Sequence, residues 1–241
     1  LTFGSLETGR ESAPGQMPAK ILRDVYRVNM ARSDFKIYGV IGNPISKSQG
    51  YLVHNRAFQE KESSDIYVSF RIDNVEKFYN LFKDFISGLS VTMPAKEQIM
   101  PLLNRIDETA KKIGAVNTVV KEGADWVGYN TDCSGAIAAL EAWTSLQGKN
   151  VLILGSGGTA KAIGYGVKEK GGRLTVTYYK NKERGESLAR ELDCELVHAR
   201  DAGTRYIDIL INCSPVGMSP NINESPFLAR DFKEGMVVFD S

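Results

Sequence analysis

Two short stretches bring together residue types able to move a proton. Ser90-Val91-Thr92-Met93-Pro94-Ala95-Lys96 puts a hydroxyl and an amine at the end of a strand, and Gly128-Tyr129-Asn130-Thr131-Asp132 puts an amide, a hydroxyl and a carboxylate just ahead of a helix. A lysine held near a carboxylate donates a proton to a carbonyl oxygen as hydride reaches the carbon, and takes it back in the reverse direction. Each residue alone has a plainer reading. Lysines are commonly solvated surface charges, and Asp132 in Asn-Thr-Asp is placed to cap the helix that follows.

A hydride donor leaves its own signature. In Val151-Leu152-Ile153-Leu154-Gly155-Ser156-Gly157-Gly158-Thr159-Ala160 a buried strand passes into a glycine-rich turn that opens a helix, the setting of a dinucleotide pyrophosphate. Gly155 lets the chain leave the strand tightly, Gly157 lets the backbone approach phosphate, and Ala160 is small enough for helix–sheet packing. The first-turn amides over Ser156, Gly158 and Thr159 lack helical partners, and the helix dipole adds about half a positive charge there. The spacing alone is shared with ordinary tight turns; the aliphatic strand before it and Ala162, Ile163 and Val167 after it supply the context.

Beyond the turn, Arg173 to Tyr179 reads as the second strand of the unit, where an NAD site ends with Asp or Glu on the ribose 2′-hydroxyl. This chain has Tyr179-Lys180-Asn181-Lys182 and then Arg184. Such a cluster suits a 2′-phosphate and favours NADP(H), the plainer reading being cations merely solvated in a loop.

These groups need a scaffold, and strands alternate with helices from Phe35 onward. Strands are expected over Lys36–Ile41, Ile66–Ile72 and Leu89–Thr92, with a hairpin of Asn117–Val120 and Trp126–Tyr129. Helices are expected over Tyr51–Glu60, Glu97–Leu103, Glu108–Ile113 and Cys133–Leu146. Val75, Phe78, Phe82 and Phe85 fall at helical spacing and read as one core-facing stripe. Strands at Val151–Leu154, Leu174–Tyr178, Glu195–His198, Ile207–Ile211 and Met236–Asp240 make a parallel, doubly wound sheet. Ala19–Val28 reads as a helix whose apolar side, Ile21, Leu22, Val25 and Val28, has no sheet of its own.

Composition excludes several classes. The chain has 241 residues, 42% hydrophobic, with 30 basic against 29 acidic side chains for a net charge of +1. Nothing in that balance attracts nucleic acid. No apolar run approaches the roughly 20 residues a membrane span needs, and the first residues lack a signal-peptide pattern, so a cytoplasmic protein is expected. Cys133, Cys194 and Cys213 are odd in number and far apart, and His54 and His198 are the only histidines, so neither a metal site nor a hydrolase triad is expected.

Residues 35–241 resemble shikimate dehydrogenase, in the form fused to 3-dehydroquinate dehydratase. The resemblance is carried in order by Gly42-Asn43-Pro44-Ile45 with Ser48 and His54-Asn55, Val91–Lys96, Gly114-Ala115-Val116-Asn117-Thr118, Gly128–Asp132, the glycine turn, and Asn212-Cys213-Ser214-Pro215-Val216-Gly217-Met218. It implies an α/β fold with a substrate-binding lobe at 35–132 and an NADP-binding Rossmann lobe at 133–241. The implied reaction is reversible reduction of 3-dehydroshikimate by NADPH. Lys96 and Asp132 match the family's catalytic pair; Ser48, Thr92 and Asn117 match the groups that hold the substrate's carboxylate and hydroxyls. Gly155–Ala160, Lys180, Arg184, Asn212, Ser214 and Met218 are the expected cofactor contacts.

Departures from the family qualify that reading. A second serine usual two positions after Ser48 is Gly50 here, which leaves a hydrogen bond to the substrate carboxylate missing or supplied elsewhere. The family's Asn-Arg-Thr at the 2′-phosphate is Tyr179-Lys180-Asn181, and lysine neither stacks nor forks on phosphate as arginine does. A quinate or quinate/shikimate dehydrogenase is therefore an alternative. The chain stops at Val237–Ser241, where relatives continue with further helices, so a C-terminal truncation is expected and a non-catalytic nucleotide-binding fragment is a second alternative. At the start, Leu1-Thr2-Phe3 and Ser12-Ala13-Pro14-Gly15-Gln16 resemble the end of a type I dehydratase β/α barrel. Residues 1–34 are expected to be the remnant of that upstream domain in a bifunctional parent.

Overall fold

A computed structural model describes residues 16–29, 34–45, 48–218 and 222–241. The expectations for Leu1-Thr2-Phe3 and for 12–15 lie outside the described residues. Two compact units divide the chain, Leu1–Ala110 with Val116–Tyr129, and Lys111–Ala115 with Asn130–Ser241.

In the first unit come α1 (Ala19–Asp24), β1 (Ile37–Gly42), α2 (Gly50–Glu60), β2 (Ile66–Arg71), α3 (Val75–Phe82), β3 (Ile86–Val91), α4 (Ala95–Gln98) and β4 (Arg105–Ile106). After α5 (Glu108–Ile113), whose last residues belong to the second unit, β5 (Thr118–Glu122) and β6 (Asp125–Tyr129) complete it. The sheet runs β2-β1-β3-β5-β6-β4, with β1, β2 and β3 parallel and β5 antiparallel to both neighbours. Ile41, Leu89, Val91, Phe78, Tyr79, Ile99, Val116 and Trp126 form its core.

Three expectations need correction here. Phe85 is 70% exposed and does not join the core as the stripe suggested, and Phe82, 39% exposed, packs only at its border against Phe70 and Phe78. The helix ends at Phe82, the helical phase is lost before Phe85, and Tyr79 packs edge-on to Trp126 in their place. The helix expected over Glu97–Leu103 is the four-residue α4 followed by a 3-10 turn at Met100–Leu102, because Pro101 has no N–H to continue an α-helix. Finally, α1 stops at Asp24. The chain beyond it docks on its own unit, with the Tyr26 ring stacked on Tyr51 at 6.0 Å and Arg27 Nη2 donating to Ser63 O at 2.5 Å.

The second unit holds α6 (Thr131–Glu141), β7 (Asn150–Leu154), α7 (Gly158–Glu169), β8 (Arg173–Tyr178), α8 (Lys182–Glu191), β9 (Glu195–His198), β10 (Ile209–Asn212) and β11 (Val237–Asp240). Its five strands are all parallel, in the order β11-β10-β7-β8-β9. Successive residues of a strand face opposite sides of the sheet. Val151 and Ile153 therefore join Ile163, Val167 and Val176, while Leu152 and Leu154 join Leu210 and Phe227. Covered on both faces, β7 must be apolar throughout, which is why its sequence reads as an unbroken aliphatic run. The helix expected over Cys133–Leu146 runs instead from Thr131 to Glu141.

Candidate dinucleotide and substrate site

In the second unit the chain leaves β7 for β8 and β9 on one side and returns to β10 and β11 on the other. The order reverses between β7 and β10, and ligands of open α/β sheets bind at the carboxyl ends of strands at such a point. Both neighbouring loops there are built for close approach. Gly155 has φ +115°, and a Cβ on it would lie 2.9 Å from Cys213 O, so any side chain is doubly excluded. Its N–H donates to Thr177 Oγ1 at 3.0 Å, a buried partner the motif did not reveal.

The turn fits a dinucleotide pyrophosphate on its own geometry. Gly157 is the N-cap of the 12-residue α7, with no side-chain cap among the described residues and no acidic residue in the first turn. Orphan amides and the positive dipole end are thus left for an anion. A Cβ at Gly157 would meet only Arg184 Nη2, at 3.8 Å. The guanidinium on the first turn of α8 therefore reaches the glycine turn. Asn181 caps α8 by accepting from Arg184 N at 2.9 Å, while Lys180 is exposed between β8 and that cap. Of the sequence-expected cations, Arg184 is the one the structure brings beside the phosphate turn.

On the other side of the switch point, Asn212 Oδ1 accepts from Ser214 N at 3.0 Å and Ser214 Oγ at 2.7 Å, and its Nδ2 donates to Asp240 Oδ1 at 2.8 Å. Asn212 thus orders the loop and ties β10 to β11. Met218 is 60% exposed at the end of that loop. Burial pushes the Cys213 thiol up to about 11, so it carries no thiolate chemistry at neutral pH. Among the described residues no His/Cys/Asp/Glu group could hold a metal ion, and no helix is long and apolar enough to cross a membrane.

Asp132 lies in the first turn of α6, and the capping role belongs to its neighbour. Asn130 Oδ1 accepts from Cys133 N at 3.2 Å while Asn130 Nδ2 donates to Ala115 O at 2.9 Å. The plainer reading of Asp132 as an N-cap is thereby removed. Against α6 lies α7, so close that a Cβ at Gly166 would meet Ile137 Cγ1 at 2.4 Å and Cys133 Sγ at 2.9 Å.

The first unit gathers the other expected residues through main-chain bonds at the ends of β1 and β3. Thr92 N donates to Ile41 O at 2.9 Å, Asn43 N to Met93 O at 3.0 Å, and Val91 N to Asn117 O at 2.7 Å. Val116 N donates to Lys96 O at 2.9 Å, fixing α4 beside the segment before β5 that carries Asn117. These main-chain bonds bring the Thr92–Lys96 stretch beside the segment of Asn117, and all three residues are half-buried. Ser48 Oγ accepts from Gly50 N at 3.3 Å. Sequence reasoning missed the group beneath it: Tyr67, 4% exposed, donates its hydroxyl proton to Ser90 Oγ at 2.7 Å, and His54 stacks on its ring at 4.2 Å. No local signal marks the pair, since β2 also carries Ser69 and Arg71 and β3 also carries Ser87.

A doubly wound parallel sheet with a glycine turn at its switch point, joined in one chain to an α/β unit that carries hydroxyls, an amide and a lysine on adjacent segments at its strand ends, defines a nicotinamide-dinucleotide oxidoreductase. Residues 40–119 match the family described as the shikimate dehydrogenase substrate binding domain. The chain is 36% identical over 211 residues to shikimate dehydrogenase (NADP(+)) of Syntrophobacter fumaroxidans, covering 86% of this chain and 73% of that protein. It is 35% identical over 262 residues to the chloroplastic bifunctional 3-dehydroquinate dehydratase/shikimate dehydrogenase of Arabidopsis thaliana, covering all of this chain and 43% of that protein. A Thermus thermophilus shikimate 5-dehydrogenase solved with NADP(H) and shikimate superimposes with a TM-score of 0.76 at 26% identity, over 86% of this chain and 78% of that one. The chain belongs to the shikimate dehydrogenase family.

Proposed function

We propose that the chain reduces 3-dehydroshikimate to shikimate with NADPH, reversibly, and that Lys96 and Asp132 carry the proton transfer. The observation that supports it most is the open, uncapped start of α7 at the switch point with Arg184 beside it, a site for a phosphorylated dinucleotide. Bound there, NADPH would supply the hydride that the carbonyl carbon receives. Lys96 donates the proton that the carbonyl oxygen acquires and recovers it in the oxidative direction; Asp132 helps to orient the lysine and the hydroxyl that forms. Ser48, Thr92 and Asn117 hold the carboxylate and hydroxyls, which is how a polyhydroxylated anion is told from analogues lacking one group. Gly155–Ala160 bind the pyrophosphate, Arg184 and Lys180 the 2′-phosphate, and the 212–218 loop the nicotinamide end.

Gly50 favours a second reading, a quinate or quinate/shikimate dehydrogenase, because it leaves room where relatives present a serine. Steady-state assays with shikimate and quinate, each with NADP+ and NAD+, separate the two. Shikimate with NADP+ is expected to give the highest kcat/KM; quinate with NAD+ in that position overturns the choice. We further propose that this chain is part of a bifunctional enzyme with the dehydratase barrel upstream, acting in a soluble compartment such as the cytoplasm. The plant bifunctional relative, which aligns over the full chain where the Syntrophobacter enzyme aligns over 86% of it, supports that reading.

A further inference from the structure

The first unit contains hydroxyls that each already accept a hydrogen bond from the protein. Gly50 N–H donates to Ser48 Oγ at 3.3 Å, and the Tyr67 hydroxyl donates to Ser90 Oγ at 2.7 Å. A hydroxyl that has accepted a proton in this way keeps its own to give away. Ser48 Oγ and the Tyr67 hydroxyl that donates to Ser90 border one spot: a Cβ at Gly50 would lie 3.4 Å from Ser48 Oγ, 3.5 Å from Tyr67 Oη and 3.3 Å from Tyr67 Cε1. Tyr67 is buried and immobile. Its main chain is held by Asn55, whose Nδ2 donates to Tyr67 O at 2.8 Å and whose Oδ1 accepts from Tyr67 N at 2.9 Å, and its ring lies under His54. Burial raises the phenol's pKa above its ordinary value, so it stays a donor throughout the neutral range. Ser90 itself is half-buried and remains reachable.

We propose that Ser90 is a further substrate-binding residue, donating to the substrate carboxylate, and that Tyr67 is a positioning residue that orients the Ser90 hydroxyl by donating to one of its acceptor positions. Resting on the functional reading above, this supplies the donor that Gly50 withholds. The ligand chemistry is a carboxylate because two neutral hydroxyls that each already accept one hydrogen bond from the protein keep a proton to donate, and a carboxylate offers two acceptor-only oxygens.

Shikimate affinity measured by calorimetry on the full chain tests it, with NADPH affinity as the control for folding. Ser90→Ala is expected to weaken shikimate about tenfold to a hundredfold, the worth of a hydrogen bond to a charged group, and to cost shikimate methyl ester much less. Tyr67→Phe is expected to weaken shikimate by a smaller factor, and to add nothing when combined with Ser90→Ala, which a phenol with a merely structural role would not do. Unchanged shikimate affinity in Ser90→Ala, equal losses for acid and ester, or additive losses in the double variant overturn the inference while leaving the proposed reaction standing. A wild-type chain that binds neither acid nor ester removes the reaction and the inference together.

Discussion

In the second unit the proposed phosphate cradle is made of main chain, whereas the hydroxyl group around Gly50 in the first unit is made of side chains held by main chain. At the glycine turn what matters is the absence of Cβ atoms: Gly155 excludes one by its φ and by the Cys213 carbonyl, and Gly157 leaves the amides open. In the first unit what matters is the identity and direction of short polar groups drawn from α2, β2, β3 and the segment before β5. A backbone site recognises charge with little regard to side-chain identity, and a side-chain site discriminates one hydroxyl pattern from another.

That contrast is open to attack at several places. The largest effect is expected from Lys96→Ala, which should lower kcat by about 10²- to 10⁴-fold, the usual worth of a positioned acid–base group, with NADPH affinity unchanged by fluorescence titration. Retained turnover would take the proton transfer away from the side-chain site. Gly155→Val comes next: strain of about 1–3 kcal/mol at that φ, added to the clash with Cys213 O, should displace the turn and weaken NADPH about a hundredfold or fail to fold. Arg184→Ala should weaken NADPH about tenfold and NADH hardly at all, reflecting one lost charge-assisted contact; equal losses would place the 2′-phosphate elsewhere.

Asp208 tests the sheet beneath the cradle. Its carboxylate accepts from Asn150 N at 2.8 Å and Asn150 Nδ2 at 3.0 Å, which with Lys149 nearby lowers its pKa. A lowered carboxylate pKa contributes stability present above the ordinary carboxylate range and lost as pH falls through the depressed value. Asp208→Ala should therefore cost about 1–2 kcal/mol in urea unfolding at neutral pH, with the gap to wild type closing in acid. Smallest of all should be Ser156→Ala, within about twofold in NADPH affinity, because the turn binds with amides rather than hydroxyls. A large loss there would blur the distinction between the two regions.

The same distinction governs what could be read from sequence. The glycine turn was legible because a backbone site needs a fixed local spacing, and Val151–Leu154 announces a strand covered on both faces. Lys96 and Asp132 were legible only with the family resemblance, since residues 36 positions apart carry no mutual signal. The Tyr67–Ser90 pair escaped because its two members sit on strands separated by β1 in the sheet order and meet over its face. Phe85 misled because helical spacing continues in the sequence after the helix has ended at Phe82. The two-residue β4 is too short for any periodicity to show.

Gly166 has a mechanical consequence. With no room between it and the Cys133–Ile137 stretch, the helix bearing Asp132 and the helix that starts at the pyrophosphate turn are clamped into one rigid piece. The spacing between that carboxylate and the proposed dinucleotide cradle is thus set by a missing methyl group two turns down the rod.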